Sequence, residues 1–301
     1  MRRVGRRGVA LMIVLWLLVV LGVVATAIAG AARSDFTLAL NQRARATARY
    51  AAESGMLVAT ERLERLLTAS PSAAERPSSL DPDRHFVALR DVALGDARFG
   101  IAVVDLNARI DLNRSSGDVL RAFFAQFAGA ARAEAIVAAL EDWKDADDVT
   151  RPGGAEQATY IALGSPYIPR NAPLDRLDDL AHVLTVDDSL AALVAPYVTV
   201  ESDGLVNPNS AAAPVLAALP GMSEERAREI VARRGAGETF TSPAALQDFG
   251  PVYSLLTPVP TRLLIVSRGW LQGHALTHEI DAVYGIAGAH LYLISWRERD
   301  L

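Results

Sequence analysis

Between Val9 and Ala32 the chain runs for 24 residues without a single charge, immediately after a leader carrying Arg2, Arg3, Arg6, Arg7 and Gly8. At about 1.5 Å per helical residue such a run reaches about 36 Å, enough to cross a hydrocarbon core of about 30 Å. Secretory h-regions are usually only about 7 to 15 residues, so a membrane-held form is expected over a cleaved soluble one. With the arginines on the leading side, the positive-inside rule keeps the N-terminus cytoplasmic and sends everything after about Arg33 across the membrane.

The helical pattern continues past the bilayer. No proline occurs from Val9 to Ser70, and Leu38, Ala48, Ala52, Leu57, Leu63, Leu66 and Leu67 recur at spacings that suit one helical face. Ser70-Pro71 and the Ser/Pro-rich stretch to Pro82 end it. The reading is one helix of about 60 residues, lipid-soluble in its first third and amphipathic beyond.

About 270 residues follow the apolar run, enough for one large or two modest cores. Cysteine is absent, so an exported domain must be held by packing, with or without metal. The net charge of -5 becomes about -9 without the leader arginines, which argues against general nucleic-acid binding. Periodicity then divides the chain. From His85 to Asn113, "HFVALRDVAL", "RFGIAVVDL" and "ARIDLN" read as two or three short strands. Four helical segments follow from Gly117 to about Ala195, with Ser116 and Asp187 where N-caps belong. A short extended stretch "YVTVES" leads to a second helical group between Ala211 and Phe249, and "RLLIVSRGWL", "HEIDAVYGI" and "HLYLISWRE" return to strands. Strands on both sides of a helical block indicate an α+β chain with an inserted subdomain.

The basic leader ending in glycine, the long half-buried helix and the stretch "GVALMIVLWLLVVLGVVATAIAGAARSDFTLALNQRARATARYAAESG" resemble the K-type minor pseudopilins of type II secretion systems. That resemblance implies a prepilin leader cut by prepilin peptidase between Gly8 and Val9, with Val9 then N-methylated. It implies a pilin-like fold: a long N-terminal helix on a small antiparallel sheet, carrying a large inserted helical subdomain. The divisions expected are the leader at 1–8, a transmembrane part at 9–32, an amphipathic continuation at 33–70 and first strands at 71–114. A helical insertion at 115–258 contains a helix-hairpin-helix-like segment at 205–249, and closing strands occupy 259–301. Most pilins carry glutamate at the fifth mature position; here it is Ile13, a departure the K-type shares. A carboxylate at membrane depth needs a partner, in ordinary pilins the N-terminal ammonium of a neighbour, and a subunit at the tip has none above it. The implied role is initiation or capping of the pseudopilus, with I- and J-type minor pseudopilins and the inner-membrane secretion platform as partners.

Three constellations carry chemistry. In "EDWKDADDVTRPGGAEQATY" six carboxylates fall within sixteen residues, and a Gly/Pro-bearing loop can wrap such oxygens around a hard cation. An EF-hand register from Asp145 fails, with Val149 and Thr150 where a ligand and glycine belong. The stretch is similar to the K-type pattern, which implies calcium held by Asp145, Asp147, Asp148 and Glu156, with Arg151 as an ion-pair partner. The second constellation, around Pro220-Gly221, resembles a helix-hairpin-helix unit, and its arginines at 226, 228, 233 and 234 raise the alternative of a membrane-anchored DNA-uptake receptor. Interleaved Glu224, Glu225 and Glu229 weigh against phosphate attraction. The third, His274 and His278, has a four-residue spacing but sits in strand-like sequence and is read as ordinary surface or strand histidine. No cysteine nucleophile, nucleophile elbow, phosphate loop or dinucleotide fingerprint occurs, so a non-enzymatic assembly protein without an organic cofactor is expected.

Overall fold

The computed structural model describes residues 6–70, 88–240 and 249–301. The first five leader residues, the proline-bearing stretch after Ser70 with the start of the expected first strand at His85, and part of the 205–249 segment lie outside it. Helix α1 (Arg6–Ala69) is continuous for 64 residues and ends next to the expected Ser70-Pro71 break. Among the described residues, α1 is exposed from Leu11 to Arg43, where Arg43 bonds Asp96 at 3.1 Å, and burial begins at Ala44.

From there Ala44, Ala48, Ala51, Ala52, Met56, Ala59, Leu63 and Leu67 are buried. Small residues dominate because the helix lies directly on a strand. A Cβ on Gly269 would fall 2.1 Å from the Ala48 carbonyl oxygen, and one on Gly55 would fall 2.3 Å from Ser267 Oγ. Ser267 Oγ instead donates to the Ala52 carbonyl at 2.7 Å, which ties helix to sheet. Two residues expected on this face are elsewhere, since Leu38 and Leu57 are 56% and 70% exposed. At about 100° per residue Leu57 points roughly opposite to Ala59, on a second, outer stripe.

The sheet under α1 is antiparallel with spatial order β1-β2-β5-β6-β7. Its strands are β1 (Leu89–Leu94), β2 (Ala97–Asp105), β5 (Arg262–Leu271), β6 (Thr277–Ala287) and β7 (His290–Asp300). Alternation on β2 sends Phe99, Ile101 and Val103 to the α1 side, where they meet Leu263, Ile265, Ile280 and Ala282. Strands β2 and β5 are direct neighbours, paired from Ala97↔Leu271 to Asp105↔Leu263. All residues between Asp105 and Arg262 are therefore an insertion between adjacent strands.

This moves the expected boundary. Ile110 and Asp111, read as the end of the first strand group, form β3 (Ile110–Asp111), which pairs in parallel with β4 (Val198–Thr199) inside the insertion. The reason is local: the Asp111 carboxylate accepts from the N–H groups of Asn113, Arg114 and Ser202 at 2.8, 3.0 and 2.7 Å, turning the chain away from the sheet. Around β3 and β4 pack α2 (Gly117–Ala128), α3 (Ala130–Lys144), α4 (Gln157–Ala162), α5 (Asp188–Val194), α6 (Ala213–Ala217) and α7 (Glu224–Gly235). Ser116 and Asp187 cap α2 and α5 as expected. The segment expected to be helical around Leu177–His182 is a 3-10 helix. The insertion has its own core, built on Phe123, Phe124, Leu140, Trp143 and Tyr160, separate from the core beneath α1.

One buried residue rivets the two parts. Asn107 Nδ2 donates to Asp203 Oδ1 at 2.8 Å and to the Leu205 carbonyl at 2.9 Å, while its Oδ1 accepts from the N–H groups of Thr261 and Arg262 at 2.8 and 3.0 Å. On another flank Arg297 of β7 bonds Glu201 at 2.9 Å.

Candidate metal centre

Helix α3 delivers the first two carboxylates. Ile136, Val137, Leu140 and Trp143 bury one side of it, and the same rotation places Asp142 at 0% exposure in the last turn. Asp145 is its C-cap, extended at φ -76° and ψ 174°. The chain then loops outward and returns because Tyr160, fully buried, packs on Trp143 with ring centroids 5.9 Å apart and accepts the Leu184 N–H at 2.9 Å through its hydroxyl. The return passes close beneath Asp142: a Cβ on Gly154 would lie 2.1 Å from Asp142 Oδ2, so only glycine fits without displacement. Two residues later Glu156 enters the fold as the residue before α4.

Asp142, Asp145 and Glu156 thereby offer oxygens that all lie within 4.8 Å of one another. Arg151 closes one flank. Its Nη1 donates to Asp142 Oδ1 at 2.8 Å and to Asp145 Oδ2, its backbone N–H reaches Asp142 Oδ2 at 3.2 Å, and Nε lies 3.4 Å from Glu141. The other flank is open. Asp145 Oδ1 and both Glu156 oxygens are buried without a hydrogen-bond partner. Burial pushes the Glu156 carboxyl above its ordinary range, and the charges of Asp142, Asp145, Asp148 and Asp147 add to the push. Unpartnered buried carboxylate oxygens are costly, and oxygen-only donors converging on one point suit a hard cation.

The expected ligand set changes accordingly. Asp145 and Glu156 converge, as does Arg151 in its ion-pair role. Asp147 and Asp148 do not. Both are exposed; Asp147 Oδ1 accepts from Val149 N–H at 2.9 Å, and Asp148 Oδ1 from Asn171 Nδ2 at 3.2 Å. They lie past the end of α3, where the chain turns outward. The residue missing from the expected set is Asp142, and helical geometry holds its signal: Asp142 and Asp145 are three apart on one side of α3.

The other constellations have different outcomes. Gly221 follows Pro220 with φ +73°, as a hairpin requires. Its arginines are spent: Arg226 on Glu229, Arg228 on Glu224, Arg233 on Glu238, and Arg234 on the carbonyls of Pro208 and Ala211. Glu224 and Glu225 occupy the first turn of α7, where a phosphate would need positive potential. His278 is buried on β6 with Nδ1 2.7 Å from Asp300, whereas His274 lies in the preceding turn and accepts the Leu276 N–H, so each has its own local role.

Residues 98–203 match a family model described as type II secretion system (T2SS), protein K, and residues 206–259 match a second model of the same description. Together they take in more than half of the chain. The type II secretion system protein K of Pectobacterium carotovorum subsp. carotovorum is 32% identical over 146 residues, which is 46% of this chain and 44% of that protein. Its counterpart in Klebsiella pneumoniae is 33% identical over 78 residues, 26% of this chain and 24% of that one. The chain thus aligns with less than half the length of these relatives. Among solved structures, a chain of the GspK-GspI-GspJ complex from the type 2 secretion system of enterotoxigenic Escherichia coli shares the fold. The TM-score is 0.62 at 16% identity, covering 89% of this chain and 99% of that one.

Proposed function

Because the chain belongs to the type II secretion system protein K family, we propose that it is a non-enzymatic minor pseudopilin at the tip of the secretion pseudopilus, where it initiates or caps the fibre. The observation that carries this reading is the unequal cover of α1. Its first part is exposed on all sides and apolar, which suits lipid before assembly and other helices after it. Beyond the apolar run Phe36, Tyr50 and Leu57 stand at multiples of seven and are 66%, 67% and 70% exposed, an outer row interrupted by Arg43, which bonds Asp96.

The insertion supports a terminal place. It extends from between two central strands as a second core, bulk that a closely packed repeating fibre has no room for and an end accommodates. Prepilin peptidase would cut between Gly8 and Val9, and Val9 would be N-methylated. Ile13 then leaves no carboxylate needing a neighbour's ammonium. The chain is held in the inner membrane with its N-terminus cytoplasmic and its folded part periplasmic until the secretion platform extracts it. By extension from the solved complex, I- and J-type minor pseudopilins are its direct partners. Co-expression of the full chain with these two subunits, followed by affinity purification in detergent, tests the proposal: a stable ternary complex is expected, and a folded chain that fails to retain either partner would overturn it. Mass analysis of the same sample reads the N-terminus, where an intact Met1 in cells containing the peptidase would refute the processing step.

The carboxylate centre fits a calcium ion held by Asp142, Asp145 and Glu156. A bound ion would neutralise Glu156 and pin the 145–156 loop to α3. Thermal unfolding in calcium and in chelator tests this, since equal melting temperatures exclude a stabilising site.

A further inference from the structure

Arg151 has a second consequence for this centre. Asp142, Asp145 and Glu156 together bring three negative charges, and the Arg151 guanidinium, bridging Asp142 and Asp145, returns one positive charge. Glu141, the remaining contact of Arg151, is part-exposed and shares its field with the nearby Lys144. Asp148 and Asp147 are exposed to solvent, and their charges act on Glu156 more weakly than those of Asp142 and Asp145. The open flank, lined by Asp145 Oδ1 and the two Glu156 oxygens, therefore faces a net charge of two. We infer that Arg151 is the resident counter-cation of the site and its charge filter, setting it to -2 so that a divalent ion neutralises it and a trivalent ion gains no large advantage from its extra charge. The inference rests on the calcium reading above.

The geometry keeps the guanidinium in this role. Residue 151 is tied to Asp142 at two levels, through its backbone N–H and its Nη1, and the Arg151 carbonyl accepts the Gly154 N–H at 2.8 Å. An entering cation thus joins Arg151 on the opposite side of the carboxylates instead of replacing it. At separations of about 5 Å, one unit of charge more or less changes ion affinity by roughly tenfold or more even at a high effective dielectric.

Terbium provides a trivalent probe of nearly calcium size, and Trp143 and Tyr160, which pack beside the site, can sensitise its luminescence. The full chain in detergent is titrated with terbium and then competed with calcium. In the wild type the two dissociation constants should lie within roughly tenfold of each other. Arg151→Gln should raise the preference for terbium at least roughly tenfold and lower the melting temperature in chelator, while Arg151→Lys leaves the preference unchanged. A preference unaltered in Arg151→Gln, with calcium still binding, overturns the filter and leaves the calcium reading standing. Binding of neither ion by wild type or variant overturns both. Should Arg151→Gln not fold, the wild type decides alone, and terbium preferred more than about a hundredfold refutes the filter.

Discussion

Among the described residues two glutamates are almost completely withdrawn from water, Glu279 at 1% and Glu156 at 3% exposure, and the fold treats them in opposite ways. Glu279 sits in β6 between Arg268 and Arg299, each bonding one of its oxygens. Burial alone would raise its pKa, but the two guanidinium bonds outweigh burial and hold it below the ordinary carboxylate range. Glu156 has no such pair; its nearest charged neighbours are carboxylates, and its pKa is driven up. The sheet solves its buried charge with its own residues. The insertion leaves one unsolved, and that difference separates a structural ion pair from the candidate metal centre.

The comparison can be broken in four ways, from the largest effect down. Glu279→Ala strands two arginines; because these are about half exposed, the loss should be roughly 2–3 kcal/mol, below the usual range for a buried pair, and the same with or without calcium. Chemical denaturation of the full chain in detergent measures it. Calcium at about a hundred times its dissociation constant should stabilise the wild-type insertion by about 2.7 kcal/mol, visible as a raised melting temperature, and should do nothing for Glu156→Gln. In chelator Glu156→Gln should be more stable than wild type by about 1–2 kcal/mol, because the unpaired charge is gone and its amide can donate to the neighbouring carboxylates. A loss of stability there would mean that Glu156 is already satisfied.

The smallest effect is on pH, and it runs in opposite directions. Glu156 has a raised folded pKa, so in chelator its stabilising contribution is complete below its unfolded value and lost as pH rises through the folded one. The depressed Glu279 contributes fully above its unfolded value and loses that contribution as pH falls through the folded one. Acidifying from neutrality in chelator should therefore narrow the gap between wild type and Glu156→Gln, by about 1 kcal/mol or less, before the gap to Glu279→Ala changes. Melting curves of the three proteins across pH check the order.

Much of this frame is legible in the sequence where a pattern is long or chemically sharp. The uninterrupted helical period to Ser70, the change to alternation on either side of the helical block, and the caps Ser116 and Asp187 all stand where the residues place them. What escapes is whatever depends on direction. Leu57 is apolar and sits among the residues of the buried face, yet it lies six and nine residues from Leu63 and Leu66, about 120° and 180° around the helix, and belongs to the opposite stripe. Asp147 and Asp148 look like ligands by proximity along the chain, while Asp142 looks like part of a solvated helix end. Only the return of the loop under Gly154 makes Asp142 the inner residue. The insertion boundary is equally hidden, since "ARIDLN" has strand-forming residues whichever sheet it joins, and its partner Val198–Thr199 is far away in sequence.

The placement of the insertion between β2 and β5 also imposes an order on synthesis. When β2 emerges during synthesis its neighbour is still more than 150 residues away, and the buried stripe of α1 has only the β1-β2 hairpin to lie on. Closing a loop of that length from an unstructured chain is entropically unfavourable. Once the insertion has folded on its own core, Asn107 brings its entry and exit points together, and the remaining closure is short. The helical block thereby sets the span over which the last forty residues close onto the helix made at the start.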